Sequence, residues 1–144
     1  MNLLPLTSFF AGFLSLFYLF LSFRIGYLRG SPAMKIILKK TEETSDFTLT
    51  RNIRAHGNFS EYVPIFLILL MINEILGKSS FEYLMIICIV FTYGRIAHGI
   101  CFAFYDSSPF LRMTGMICTY LALTAFSIQL FIMGANSIFY SITN

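Results

Sequence analysis

Four long apolar stretches set the strongest limit on how this chain can fold. They cover residues 3–23, 62–75, 83–104 and 113–133 of a 144-residue sequence. A helix that crosses the hydrocarbon core of a bilayer needs roughly 20 residues. Charged residues make up only 12% of the sequence, against about 25% in an average soluble domain. The sequence therefore predicts an all-α integral membrane protein.

We predict a single domain over residues 1–144, folded as an up-down bundle of four helices. The predicted spans are residues 3–24, 47–76, 81–104 and 110–134. Helix start signals are Ser45 or Asp46 for the second helix, Ser79 with Glu82 in a capping box for the third, and Ser108 before Pro109 for the fourth. Helix stop signals are the run Gly30-Ser31-Pro32 and Gly77. The first stretch is read as a span because no basic residue precedes it and no signal-peptide cleavage motif follows it.

The basic residues lie almost entirely toward one side of this predicted bundle. Nine of the ten are Arg24, Arg29, Lys35, Lys39, Lys40, Arg51, Arg54, Arg95 and Arg112, and only Lys78 lies opposite. By the positive-inside rule we expect the basic side to face the cytoplasm and both termini to lie outside it. The net charge of +3 then reflects topology, and we expect no nucleic-acid partner.

Several kinds of site find no support in the sequence. His56 and His98 are the only histidines and fall on different helices, so we predict no metal site. Cys88, Cys101 and Cys118 lie in apolar segments without a Cys-x-x-Cys spacing, which is typical of small buried side chains. No Ser-His-Asp pattern or phosphate-binding loop is present.

The second helix carries one stripe of polar residues next to a segment that is hydrophobic enough to lie in a membrane. On a helical wheel an arc of about 100° contains Arg51, Arg54, Asn58, Glu61 and Tyr62. Charges in such surroundings require partners or a function. The stripe is therefore either a set of interhelical clamps or a binding site. His56 points away from the stripe, toward a neighbouring subunit in our interpretation.

Polar residues also share one face of the third helix, at spacings i, i+3, i+7 and i+10. They are Arg95, His98, Phe102 and Tyr105. Arg95 is the deepest charge, and its structural interpretation is a counter-ion for Glu61. Arg112 begins the fourth helix, where a cation opposes the helix dipole. It is either a topology marker or part of an anion site.

Three segments together resemble a known family. They are Arg54-Ala-x-x-Asn-x-x-Glu-Tyr-x-Pro64, Gly94-Arg95-x-x-His98 and Arg112-x-x-Gly115-Met116. With four spans, they are similar to the MAPEG family, the membrane-associated proteins in eicosanoid and glutathione metabolism, and to its small bacterial branch. The resemblance covers roughly residues 3–133. It implies a homotrimer in a bacterial inner membrane that binds glutathione between adjacent subunits near the cytoplasmic face.

The resemblance also implies roles for particular residues. The expected glutathione-binding residues are Arg24, Arg54, His56, Asn58, Glu61, Tyr62, Arg95 and His98. Arg112 resembles the catalytic arginine that stabilises the glutathione thiolate. Arginines suit the two carboxylates of glutathione, Glu61 can hold its amino group, and a cation lowers the pKa of a thiol. His98 and Phe102 stand where glutathione-conjugating members often have tyrosines.

We expect a membrane-bound glutathione-dependent transferase or peroxidase-like protein that attacks lipophilic electrophiles arriving from the membrane lipid. The alternative is a non-catalytic scaffold that binds lipid or glutathione, because some family members lack transferase activity. An ion-coupled exporter is a weaker third hypothesis. Such a protein needs a membrane-embedded acid, and Glu61, beside basic residues, is the only candidate.

Overall fold

Four long helices and one short helix make up the computed structural model, which describes residues 4–30, 32–38, 44–105 and 108–143. The helices are α1 (Pro5–Leu28), α2 (Pro32–Leu38), α3 (Asp46–Leu76), α4 (Phe81–Phe104) and α5 (Pro109–Thr143). Helices α1, α3, α4 and α5 are each long and apolar enough to cross a membrane. The prediction of an all-α bundle with four membrane spans is confirmed.

Most of the predicted caps are present. The Ser45 hydroxyl accepts a hydrogen bond from the Thr48 backbone N–H, and Gly77 ends α3 in the left-handed conformation with φ 60°. The Ser108 carbonyl accepts from the Arg112 backbone N–H, so α5 begins beside Pro109 as expected. These local signals position the ends of the helices that form the site.

The predicted cap of α4 was wrong by one residue. Ser80, not Ser79, accepts a hydrogen bond from the Tyr83 backbone N–H. The Ser79 hydroxyl instead accepts from the side-chain amide of Gln129 on α5. Either of two adjacent serines can serve as an N-cap, and the hydroxyl of Ser79 is occupied by its partner on α5.

Helix α2 was not predicted. Gly30, with φ 64°, turns the chain after α1, and Pro32 begins the short helix at a position that proline favours. Our expectations for Ser31, Lys39 and Lys40 fall outside the described residues. Helix α5 continues to Thr143, past the predicted end at residue 134.

Stacked aromatic rings form the centre of the bundle. The rings of Phe66 and Phe91 lie 3.7 Å apart between centroids, and Phe126 stacks on Phe66 at 5.4 Å. These rings come from α3, α4 and α5 and are fully buried. In lipid, helices associate through such close packing because burying apolar surface provides no solvent-driven gain.

Helices α4 and α5 make direct backbone contact at two glycines. A Cβ atom on Gly94 would lie 2.9 Å from the Gly115 carbonyl oxygen, and one on Gly115 would lie 2.9 Å from the Gly94 carbonyl oxygen. Only glycine permits this approach. The contact holds the Arg95–His98 face of α4 against α5, where the site forms.

At the opposite end of the bundle, Glu74 of α3 caps the start of α1. Its two carboxylate oxygens accept hydrogen bonds from the backbone N–H groups of Leu6, at 3.0 Å, and Thr7, at 2.7 Å. The first N–H groups of a helix have no intrahelical partner, and a negative charge there is stabilising. This contact fixes α1 against α3.

Candidate functional site

The basic end of the bundle is built around the C-terminal carbonyl groups of α4. Arg24 of α1 donates from Nη2 to the Ala103 carbonyl oxygen at 2.7 Å and from Nε to the Asn52 side-chain oxygen at 2.7 Å. Its guanidinium also lies 3.9 Å from the centroid of the Phe104 ring. Carbonyl groups at a helix end need such partners, and a cation suits that end of the helix dipole.

Arg51 of α3 extends this clamp. Its Nη2 donates to the Cys101 carbonyl oxygen at 3.0 Å and also to the Tyr105 carbonyl oxygen. Arg24, Arg51 and Asn52 therefore join α1 and α3 to the end of α4. Arg24, an expected glutathione contact, lies in this clamp beside a cavity of about 200 Å³. Sequence reasoning missed the buried Asn52, which lies next to Arg51 and outside the predicted stripe.

A larger cavity opens between α3, α4 and α5. It has a volume of about 430 Å³, and its lining includes Arg51, Arg54 and Arg112. No acidic side chain is among its described lining residues. We call it the arginine cavity. Arg54 and Arg112 are exposed, and the Arg112 guanidinium lies 5.7 Å from the Phe102 ring centroid. The arrangement suits a ligand with several negative charges.

A smaller space, the inner pocket, adjoins the arginine cavity. It has a volume of about 30 Å³ and is lined by Asn58, Tyr62, Arg95, His98, Met116, Thr119 and Tyr120. Met116 lines both spaces. The inner pocket thus brings together four of the predicted binding residues with three residues of α5.

Arg95 is the most deeply buried charge of the inner pocket, with 1% of its surface exposed. Its Nη1 donates to the Thr119 hydroxyl at 3.5 Å, while its Nε and Nη2 have no hydrogen-bond partner among the described residues. Its guanidinium carbon lies 5.0 Å from the Tyr62 ring centroid. Glu61 is exposed and is not a hydrogen-bond partner of Arg95 within the described residues. The predicted Glu61–Arg95 pair therefore does not form within one chain.

His98 and Tyr120 complete the inner pocket. His98 stacks on Phe102 at 4.8 Å, and its Nδ1 has no partner in the described part of the chain. The Tyr120 hydroxyl lies 3.4 Å from the Tyr62 hydroxyl. Sequence reasoning missed Tyr120 because α5 has no polar stripe. Arg112, Met116 and Tyr120 follow one another at i, i+4 spacing, and that series was the available signal.

The remaining predicted residues lie at the edges of these spaces. Asn58 donates to the Arg54 carbonyl oxygen at 3.3 Å and borders the inner pocket. The His56 ring nitrogen Nε2 lies 2.9 Å from the Ser22 hydroxyl, and its ring packs against Tyr18 at 4.5 Å. His56 thus contacts α1 of its own chain and is not among the residues that line the arginine cavity. The described residues contain no group of three His, Cys, Asp or Glu side chains that could hold a metal ion.

One family model matches most of the chain. The model of the MAPEG family matches residues 7–132, a range that contains both the arginine cavity and the inner pocket. No curated protein matches the sequence significantly.

Proposed function

We propose that this chain, which belongs to the MAPEG family, is a membrane-bound glutathione transferase or peroxidase that activates the glutathione thiolate against lipophilic electrophiles. MAPEG proteins are in general membrane proteins of glutathione-related chemistry, and this chain is an integral membrane protein. The observation that carries the proposal is the arginine cavity. Its volume of about 430 Å³ lies in the usual range for small-molecule sites, roughly 300–1,000 Å³.

Charge complementarity supports glutathione as the ligand. Glutathione has two carboxylates, one ammonium group and one thiol. Arg51 and Arg54 would bind carboxylates through charge-assisted hydrogen bonds. Glu61, on the same helix as Arg54, would receive the ammonium group. Asn58 and Tyr62, which line the adjoining inner pocket, would donate hydrogen bonds to the part of the peptide that lies beside it.

Arg112 is the proposed activating cation. It lies in the first turn of α5, where backbone N–H groups and the helix dipole also favour a negative charge. A nearby cation favours the thiolate over the thiol, and the thiolate is the nucleophile. In a transferase, its sulfur would form a bond with the electrophilic carbon as the leaving group departs. The electrophile would enter from the lipid past Met113 and Met116.

We further propose that the functional unit is a homotrimer in a bacterial inner membrane, with the basic end cytoplasmic and both termini outside. In one chain the arginine cavity is open, and Arg54 and Glu61 are exposed. A neighbouring subunit would close the cavity and cover the exposed Glu61 side chain. Membrane lipid surrounds the assembly.

The decisive experiment is glutathione binding by the full chain in mild detergent, measured by calorimetry together with the ultraviolet absorbance of the thiolate. We expect Arg54→Ala to weaken binding at least tenfold, equivalent to about 1.4 kcal/mol. Arg29→Ala is the matched control, because Arg29 caps α1 and is not among the residues lining the arginine cavity. Equal binding by the two variants and the wild type would exclude the arginine cavity as the glutathione site.

A non-catalytic scaffold is the second candidate, and the side chains of α4 favour it. His98 and Phe102 stand where a catalytic member would offer tyrosine hydroxyls, and Phe102 has no hydroxyl to donate. Glutathione binding without thiolate absorbance and without conjugation of a lipophilic electrophile would establish the scaffold. Conjugation at neutral pH would exclude it.

A further inference from the structure

Helix α5 is longer than a bilayer is thick. Its 35 residues extend for about 52 Å, whereas the hydrocarbon core of a bilayer is about 30 Å thick. The neighbouring α4, with 24 residues, is about 36 Å long and already crosses that core. Gln129 of α5 donates to the Ser79 hydroxyl at the turn between α3 and α4, so α5 passes the end of the bundle at that level. Its remaining residues extend about 20 Å further.

This last part of α5 is uncovered in the single chain. Phe126 is the last buried residue of α5, and every residue from Gly134 to Thr143 is exposed. We call residues 134–143 the α5 extension. It begins just beyond residues 7–132, which the family model matches. No charged residue follows Arg112 in the sequence, so the α5 extension has no charge to hold it in water.

The α5 extension is amphipathic. Its apolar residues Ala135, Ile138, Phe139 and Ile142 have the spacing i, i+3, i+4 and i+7, which places them within an arc of about 100° on one helix face. Phe139 is 70% exposed and Ile142 is 78% exposed. The rest of the circumference carries side-chain amide and hydroxyl groups, from Asn136, Ser137, Tyr140, Ser141 and Thr143. One face therefore suits lipid and the other suits water.

A lipid surface fits the apolar face better than a protein partner does. Four apolar side chains on ten residues are few compared with the roughly 20–30 residues on each side of a specific protein interface. The apolar face also continues the exposed apolar side of the spanning part, because Phe131 lies about one turn before Ala135 and is 77% exposed. Amphipathic helices with such a face bind at the boundary between lipid headgroups and acyl chains.

Gly134 is the position at which α5 can change direction. A Cβ atom there would meet nothing within 4 Å, so close packing does not require a glycine, and glycine weakens a helix relative to alanine. Asn136 and Ser137 follow it, and their side chains compete with the helix for backbone hydrogen bonds. Combinations of glycine and serine are common sites of helix kinks.

We propose that α5 bends at Gly134 in the bilayer and that the α5 extension lies along the membrane surface opposite the basic end. Ala135, Ile138, Phe139 and Ile142 then face the acyl chains, and the opposite face meets water. The partner is the boundary between headgroups and acyl chains of a phospholipid layer, and anionic lipid is not required because the extension is uncharged. The proposal is independent of glutathione, whose proposed site lies at the other end of the bundle.

The chain contains no tryptophan, so one substitution provides a fluorescent probe of depth. Phe139→Trp and Ser141→Trp place this probe on opposite faces of the α5 extension. The full chain is reconstituted in phosphatidylcholine nanodiscs, in which aqueous iodide reaches both membrane surfaces. One set of nanodiscs carries bromine near the headgroups, and another carries it near the ends of the acyl chains. A flat extension separates the two probes by about 10 Å in depth, whereas an upright helix separates them by about 3 Å.

We expect the bromine near the headgroups to quench Phe139→Trp at least about threefold more strongly than Ser141→Trp, and iodide to show the reverse preference. Leu121→Trp is the control, because Leu121 is 61% exposed near the middle of the span and should be quenched most by the deep bromine. Equal quenching of the two probes by brominated lipid would indicate an upright helix in lipid. Strong iodide quenching of both would indicate a helix in water, and shielding of both from every quencher would indicate a protein partner. Each of these three results would overturn the proposal.

Discussion

Arg112 is the single residue on which the proposed chemistry depends most. Arg112→Ala should leave most glutathione affinity, because Arg51 and Arg54 remain in the arginine cavity. The variant should raise the pKa of the bound thiol, so conjugation should fall at neutral pH and recover at alkaline pH. Each pKa unit corresponds to about 1.4 kcal/mol.

The conservative variant and the pH profile test this role directly. Arg112→Lys should restore activity only in part, because a point charge replaces the planar fork of arginine. The measurement is the rate of conjugation at saturating glutathione, determined over a range of pH values. An unchanged pH profile in Arg112→Ala would show that Arg112 does not activate the thiolate and serves only as a topology marker. The inner pocket would then be the next place to look for the activating group.

A variant of Arg24 can distinguish two roles for this residue, a structural clamp between helices and a direct contact with glutathione. Arg24→Ala removes bonds to Asn52 and to the Ala103 carbonyl oxygen and leaves a buried amide oxygen unpaired. We expect a loss of about 1–3 kcal/mol in stability, with a smaller effect on glutathione affinity than Arg54→Ala. Thermal melting and calorimetry measure the two effects. A large loss of glutathione affinity at an unchanged melting temperature would show that Arg24 contacts glutathione directly, as the resemblance implied.

The polar residues of the site were partly predictable because helical spacing is regular. The wheel places Arg51, Arg54 and Asn58 on one stripe, and the two arginines do line one cavity. Spacing along one helix does not reveal contacts with other helices. That is why the Asn52–Arg24 bond and the contribution of Tyr120 were missed.

At the scale of elements, the crossing of α4 and α5 depends on its two glycines. Gly94→Ala would place a methyl group 2.8 Å from the Thr119 hydroxyl oxygen and 2.9 Å from the Gly115 carbonyl oxygen. Since a backbone atom cannot yield as a side chain can, we expect a loss of about 1–3 kcal/mol. Gly12→Ala is the matched control, because a Cβ there meets nothing within 4 Å, and its melting temperature should be unchanged or slightly higher. Equal effects in the two variants would show that the backbone contact is dispensable.

The ends of helices were predicted correctly where a residue type has a specific conformational preference at that position. Gly77 ends α3 because it adopts a positive φ, which the sequence alone indicates. The cap of α4 was less predictable, because two serines are adjacent and the partner of Ser79 is Gln129, fifty positions along the chain. Helix α2, with only seven residues, is too short to show a hydrophobic period.

At the scale of the whole molecule, the membrane class followed from the lengths of the apolar stretches. Assembly is different, because the contacts between copies of a chain have no counterpart in its own packing. One chain holds Arg95 inside the bundle, yet it leaves Glu61 and Arg54 exposed on helices that would otherwise meet lipid. Charged side chains at such positions are costly unless a partner covers them.

We therefore predict that three copies assemble and that each arginine cavity is completed by a neighbouring subunit. Native mass spectrometry in mild detergent should show a trimer that persists with and without glutathione. Glu61→Lys reverses an exposed charge two turns from Arg54 on α3, and it should shift the population toward monomer while weakening glutathione binding. Lys78→Glu, at the far end of the bundle, is the control and should remain trimeric. A stable wild-type monomer with full glutathione affinity would refute the shared site, because the open cavity of one chain would then suffice for binding.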